Sequence, residues 1–303
     1  MKSYNLINGN FISLEQDFTN VKSISIQDGK IVAINNPIKN VENRDLNGSY
    51  VIPGFIDAHF HIKNYGKRLQ QLNFKGVDSL EKIAYMVENK IKQINHGDWI
   101  LGFGWDQNLF SDKQFPQQNF LNKISPNNPI YFTRIDGHSA WINDAAIKFT
   151  EFEINDFKNI NGGDIINNCI VIDNAMNPFK KHLPKESVQQ VKDWIKIAIK
   201  EIISKGITGV HDAWQDTTTI QAIKELIQEN QFPIRCYGMA AGNDKNLLEK
   251  FFKNGHYADE YYSIRSVKAF IDGALGSRGA ALHEPYCDDK NNCGLILITK
   301  EEF

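Results

Sequence analysis

Three residues carry the chemistry that stands out in this chain: His59 and His61, which close the stretch VIPGFIDAHFH (51–61), and Lys268, within SVKAFIDG (266–273). Side chains two apart on a strand point to the same side, so the two imidazoles are expected to project together. Neutral imidazoles, the ordinary state at pH 7, suit a shared divalent cation. Asp57 lies two residues before His59 on the same expected face, placed to accept a hydrogen bond or approach the metal. Lys268 is flanked by Val267, Ala269, Phe270 and Ile271. In a strand covered on both faces an ammonium there is costly, and desolvation favours the neutral, nucleophilic amine. Such an amine can take up CO2 to give a carbamate, an anionic oxygen ligand able to bridge two metal ions. The plainer alternatives are an exposed histidine pair with no ligand and an edge lysine reaching for water.

The elements that must position these residues follow from hydrophobic periodicity. Residues 1–50 alternate apolar and polar and are punctuated by Asn8-Gly9, Asp28-Gly29 and Asn47-Gly48, which predicts a small β-sheet with one wet face. After Pro53-Gly54, FIDAHFH is too apolar for a half-exposed strand and reads as a parallel strand covered on both faces. The spacing of Leu80, Ile83, Val87, Ile91 and Ile94 predicts a helix over 78–95, with Asp78 and Glu81 as a capping box. Residues 98–105 and 128–137 read as strands, 150–186 as loop with short elements, and 187–205 as a helix stopped by Gly206. A βα rhythm then runs through GITGVHDAW, TTTIQAIKELIQEN, FPIRCYGMA, KNLLEKFFKNG and SIRSVKAFIDG. The fold class is therefore α/β. No glycine-rich phosphate loop follows the first strand, which disfavours a nucleotide-binding sheet.

With 303 residues, 42% hydrophobic and 23% charged, the chain is ordinary for a soluble globular protein. A formal charge of −2 offers nothing to nucleic acid or an anionic membrane. There is no apolar run long enough to span a bilayer, and the start lacks the pattern of a signal peptide. Four cysteines with no CxxC spacing read as unpaired thiols. The expectation is a cytoplasmic protein acting on a small molecule, with no nucleic acid and no membrane as partner.

Taken together, VIPGFIDAHFH after INGNFI and DGKIVAI, and then GFGWDQ, DGHSAWIN, GITGVHDAW and VKAFIDGALGSRGAAL, resemble the amidohydrolase superfamily. Within it they resemble the amidohydrolase-3 branch, which includes N-substituted formamide deformylases. The resemblance covers nearly the whole chain in the family's order. It implies a metal-dependent (β/α)8 (TIM-like) barrel with a small N-terminal β-sandwich domain. Residues 1–52 would form half of that composite sandwich. Residues 53–303 would form the first half of the barrel, with an insertion at about 62–205 between barrel strands 1 and 2. His59 and His61 would bind the first metal, and Lys268, as a carbamate, would bridge two. Zinc is the metal best matched to these ligand types, one or two ions, with manganese and iron as alternatives. Trp105, Asp106, His138 and Trp141, in the insertion, would cover the substrate pocket; core packing and a structural hydrogen bond are the alternatives for them. His211, at the end of the second strand, and Asp272, after Lys268, would stand near the site. The implied reaction is hydrolysis of a carbon–nitrogen bond that is not a peptide bond, an amide or formamide, through metal-activated hydroxide.

Only four strands of such a barrel can be counted, from FIDAHFH, GITGVHD, IRCYGMA and SVKAFID. The family's later histidines and its general-base aspartate have no counterpart in the chain, so no proton-shuttling catalytic residue is assigned. The chain reads as the N-terminal part of a longer enzyme, active only with a C-terminal complementing chain as its partner, or else as an inactive fragment. A helix is expected to begin after Thr299.

Overall fold

The computed structural model describes residues 3–14, 20–184, 186–273, 275 and 278–300. The helix expected after Thr299 falls on residues 301–303, outside those described. The N-terminal segment forms a four-stranded sheet in the order Lys30–Ile34, Ser23–Gln27, Ser3–Ile7, Glu42–Asp45. Asn8, Asp28 and Asn47 have φ of 55°, 50° and 48°, the left-handed backbone that the turn dipeptides demand. Buried Asn5 ties the sheet: its Oδ1 accepts from Ser25 Oγ at 2.7 Å and its Nδ2 donates to Asn43 Oδ1 at 2.8 Å.

Beyond Pro53-Gly54 lies a parallel sheet of β1 (Phe55–Phe60), β2 (Ile207–Gln215), β3 (Arg235–Ala241) and β4 (Tyr262–Lys268), neighbours in that order. Helices α1 (Ile62–Gln70), α2 (Val188–Ser204), α3 (Thr217–Gln228) and α4 (Lys245–Asn254) accompany it. The helix faces legible in the sequence bury Val191, Ile195, Ile199 and Ile202 of α2 and Ile223 and Leu226 of α3 against Val210, Cys236 and Ile264 of the strands. The starts of α2, α3 and α4 are capped by side chains. Ser187 and Gln190 form a reciprocal capping box on α2, Asp216 accepts from Thr219 N at 2.8 Å on α3, and Asp244 accepts from Leu247 N at 3.1 Å on α4. The α1–α2 contact needs Gly66, where a Cβ would lie 2.0 Å from the Trp194 carbonyl oxygen.

The other face of this sheet is open. Ile56 is 65% exposed and, with Gly209, His211, Tyr237 and Ser263, lines a shallow cavity on that side. The reading of β1 as covered on both faces is thus corrected: helices cover one face only. Among the described residues the parallel strands form an open sheet, without the eight-strand closure of a barrel.

The segment between β1 and β2 builds its own six-stranded mixed sheet, ordered Gly163–Ile166, Ile170–Asp173, Ser139–Ile142, Ile130–Arg134, Ile100–Trp105, Leu72–Asn73. Two apolar clusters flank it, one around Phe74, Val87, Phe132 and Trp141, the other around Tyr131, Phe157, Val171 and Phe179. The strands expected in 98–105 and 128–137 are present. Ser139–Ile142 and the hairpin of Gly163–Ile166 with Ile170–Asp173 escape the periodicity, because each has only four residues. The helix predicted over 78–95 spans Leu80–Ile91, and its cap is Ser79, which accepts from Lys82 N; Asp78 instead pairs with Lys82 Nζ at 2.7 Å. Among the described residues no helix is long and apolar enough to cross a membrane.

Candidate metal centre

The histidine pair stands where β1 gives way to α1. Val210 of β2 pairs with Asp57, and Asp212 pairs with Phe60, so three steps along β1 match two along β2. This extra residue bends the strand and breaks simple alternation between Asp57 and His61. Asp57 Oδ1 accepts from the His59 backbone N–H at 3.0 Å. His61 has already left the strand and is the N-cap of α1, with φ −135° and ψ 81°, and its side chain makes no capping bond. The rings nevertheless meet, with centroids 5.4 Å apart and planes at 78°.

His61 Nδ1 is buried and has no hydrogen-bond partner. Burial lowers the pKa of His61, and the positive charges of His59, Lys268 and Arg68 lower it further. A neutral ring with an unpaired buried nitrogen is the state that a divalent cation requires. Lys268 is the last residue of β4, and its positive charge is among the effects that lower the His61 pKa. It is half-buried, with Nζ 5.0 Å from the centroid of Phe270. The expectation of a lysine enclosed on both sides is therefore corrected, because the face of the sheet is open. Among the described residues no three His, Cys, Asp or Glu side chains converge to hold a metal. The donors present, two imidazoles whose rings meet, fit part of a metal centre.

The remaining candidates make contacts of their own. Trp105 and Trp141 are fully buried in the core of the inserted sheet, their rings 5.8 Å apart, with Trp105 Nε1 donating to Phe132 O at 2.7 Å. Of the alternatives open to them, core packing is the one found, since neither ring is accessible to a ligand. Asp106 caps the turn after Trp105, accepting from Asn108 N at 3.0 Å, and pairs with Arg134 Nη2 at 3.2 Å. His138 is exposed, its Nδ1 2.9 Å from Asp173 Oδ1. His211 is the fifth residue of the nine-residue β2, not its end, and its ring lies 5.2 Å from that of Tyr237. It lines a cavity of 260 Å³ on the open side with Ile56, Tyr237 and Ser263. Asp272 fastens the following loop: its Oδ2 accepts from Ala281 N at 3.1 Å and its backbone bridges to Ile296.

Two polar clusters behind the rim were not anticipated. Asp212 is 1% exposed. Its Oδ1 accepts from Ile62 N at 3.1 Å and its Oδ2 from Gln215 Nε2 at 2.7 Å. Burial pushes the Asp212 carboxyl up to about 7, and these two donors only partly offset that effect. Lys63 is buried between Asp216 at 2.5 Å and Glu186 at 2.9 Å, and Lys67 reaches Glu186 at 2.7 Å. Burial opposes the Lys63 charge, yet the two carboxylates more than compensate and its pKa is raised. The available signal for Asp212 was phase: it follows Val210 by two residues, and Val210 belongs to the helix-facing core.

The profile of the amidohydrolase family, amidohydrolase-3 branch, matches residues 42–303. The chain is 28% identical over 322 residues to Protein LONG AFTER FAR-RED 3 of Arabidopsis thaliana, covering 98% of this chain and 54% of that protein. It is 22% identical over 329 residues to the N-substituted formamide deformylase of Arthrobacter pascens, covering 100% of this chain and 60% of that one. An uncharacterized metal-dependent hydrolase from Pyrococcus furiosus superposes with a TM-score of 0.80 at 25% identity, over 99% of this chain and 63% of that one. The chain thus spans little more than half the length of the curated relatives it matches. The matched motifs, the α/β architecture and the paired histidines at the end of the first parallel strand have one common reading, and the chain belongs to the amidohydrolase family.

Proposed function

We propose that this chain supplies the first metal ligands of a hydrolase that cleaves a non-peptide carbon–nitrogen bond, an amide or formamide. The observation that carries the reading is the His59–His61 pair, 5.4 Å between centroids, with an unpaired buried Nδ1 on His61 and the Lys268 charge acting on it. His59 and His61 would hold the cation, with zinc best matched to imidazole donors. Lys268, as a carbamate, would offer oxygens to a second ion. When bound, the metal supplies Lewis acidity at the carbonyl and activates water. The chain's own contribution is to keep His61 neutral, to orient both rings, and to present the open face of β1–β4 as one wall of a pocket with His211 in it. The N-substituted formamide deformylase among the relatives supports a formamide or similar amide as substrate. A (β/α)8 barrel and a composite β-sandwich would be completed by further strands. The exposed Ile56 on the side of the sheet without helices favours that completion, and with it a second reading: a chain inactive until complemented.

Calorimetric zinc titration of the metal-stripped protein tests the site. The wild type is expected to bind at least one ion, and His59→Ala/His61→Ala to bind none at that site. Unchanged zinc stoichiometry in the double variant would sink the assignment. Hydrolysis assays with N-substituted formamides, alone and with a complementing chain, address the substrate class.

A further inference from the structure

We infer that the buried chain of hydrogen bonds Tyr262–Gln215–Asp212 is a positioning device that holds His61 with its imidazole uncommitted; this rests on the metal-site reading above. Tyr262 Oη donates to Gln215 Oε1 at 2.5 Å, Gln215 Nε2 donates to Asp212 Oδ2 at 2.7 Å, and Asp212 Oδ1 accepts from Ile62 N at 3.1 Å. All three side chains are essentially inaccessible to solvent. Burying this many polar groups in the layer between sheet and helices is unfavourable unless each is paired, and replacing them with apolar residues would pack the core more simply. The backbone makes room for them. A Cβ on Gly238 of β3 would lie 2.1 Å from Gln215 Oε1, so the chain of bonds crosses β3 only because that residue is glycine.

The two ends of this chain explain its use. Tyr262 opens β4, the strand that Lys268 closes. Ile62 is the first residue of α1 and is peptide-bonded to His61. The bonds therefore tie the strand bearing Lys268 to the peptide bearing His61, through β2. The N–H groups of a helix's first turn lack intrahelical partners, and the N-cap side chain commonly supplies an acceptor. Here the N-cap is His61, and its side chain makes no capping bond. Asp212, 150 residues away in sequence, provides an acceptor at the first turn instead. Both ring nitrogens of His61 are thus left out of helix capping, and Nδ1 has no partner at all. Asp212, Gln215 and Tyr262 touch neither ring and act only through backbone position.

The test is zinc titration of Asp212→Leu, Asp212→Asn and a control, Ile223→Ala, in the same core, with folding checked by circular dichroism. The proposal expects Asp212→Leu to weaken zinc binding at least about tenfold. Asp212→Asn keeps an acceptor for Ile62 N but turns a donor toward Gln215 Nε2, and is expected to lose less affinity than Asp212→Leu. Ile223→Ala lowers stability without touching these bonds and should retain wild-type affinity. A folded Asp212→Leu with wild-type affinity overturns the proposal, as does an equal loss in Ile223→Ala. Where Asp212→Leu fails to fold, Gln215→Met carries the same expectation and the same refutation. A wild type that binds no zinc refutes the metal reading instead. The imidazole 15N spectrum of the metal-free protein then decides: displaced or broadened His61 ring signals in Asp212→Leu support the positioning role, and unchanged signals refute it.

Discussion

The inserted sheet and the parallel sheet are built from similar residues and end in opposite states. In the insertion, Ser139, Ala140, Trp141 and Ile142 are all buried, with apolar clusters on both faces. In the parallel sheet, β1 is as apolar in sequence, yet Ile56 is exposed and only one face meets helices. An apolar strand reports a need for cover; it does not say which neighbour provides it. The insertion finds its cover within itself, and it holds no part of the histidine pair. The candidate ligands stand instead at the C-terminal ends of β1 and β4.

The contrast can be broken by substitution. Trp141→Ala is expected to cost about 3–5 kcal/mol of unfolding free energy in urea denaturation, as a fully buried ring inside a closed core should. A loss below about 1 kcal/mol would mean that the insertion is no better packed than the open face. Next in size is the pH dependence set in the layer behind the open face. Asp212 has a folded pKa of about 7 against an ordinary value of 3.8, so the folded state holds its proton more tightly. Its contribution to stability is complete below about pH 4 and declines as pH rises toward 7, by at most about 4 kcal/mol. Asp212→Asn should flatten this decline in thermal melts across that range, and an unaltered slope would show that another group causes it.

Smaller effects sharpen the comparison. Gly238→Ala places a methyl against Gln215 and is expected to cost about 1–3 kcal/mol by overpacking, read from the urea midpoint. Ile56→Gln, on the open face, should change stability by no more than about 0.5 kcal/mol while reducing self-association in sedimentation velocity. A loss there comparable to that of Trp141→Ala would show that the face is covered in solution.

The legible parts of this fold are those governed by local pattern. The apolar spacing of 188–204 marks α2, and Asn-Gly and Asp-Gly mark the N-terminal turns. The four-residue strands of the insertion were not legible, since so short a run shows no period. The histidine pair was found for a reason that holds only in part. Alternation predicted that the two rings face together, and they do meet, but an extra residue in β1 and the start of α1 bring them there. Trp105 and Trp141 show the converse: their motifs suggested a pocket, and their packing put them in a core.

By itself the sequence determined the four parallel strands, the helices that follow the second and third of them, and the residue types at the rim, because periodicity and side-chain chemistry are local properties. Only the tertiary structure decided that one face of the parallel sheet stays open, that Lys268 is half-buried, and that Asp212 serves the N–H of Ile62. Those outcomes depend on which distant segments pack together and in what register, and a register shift of one residue reverses the face on which a side chain lies.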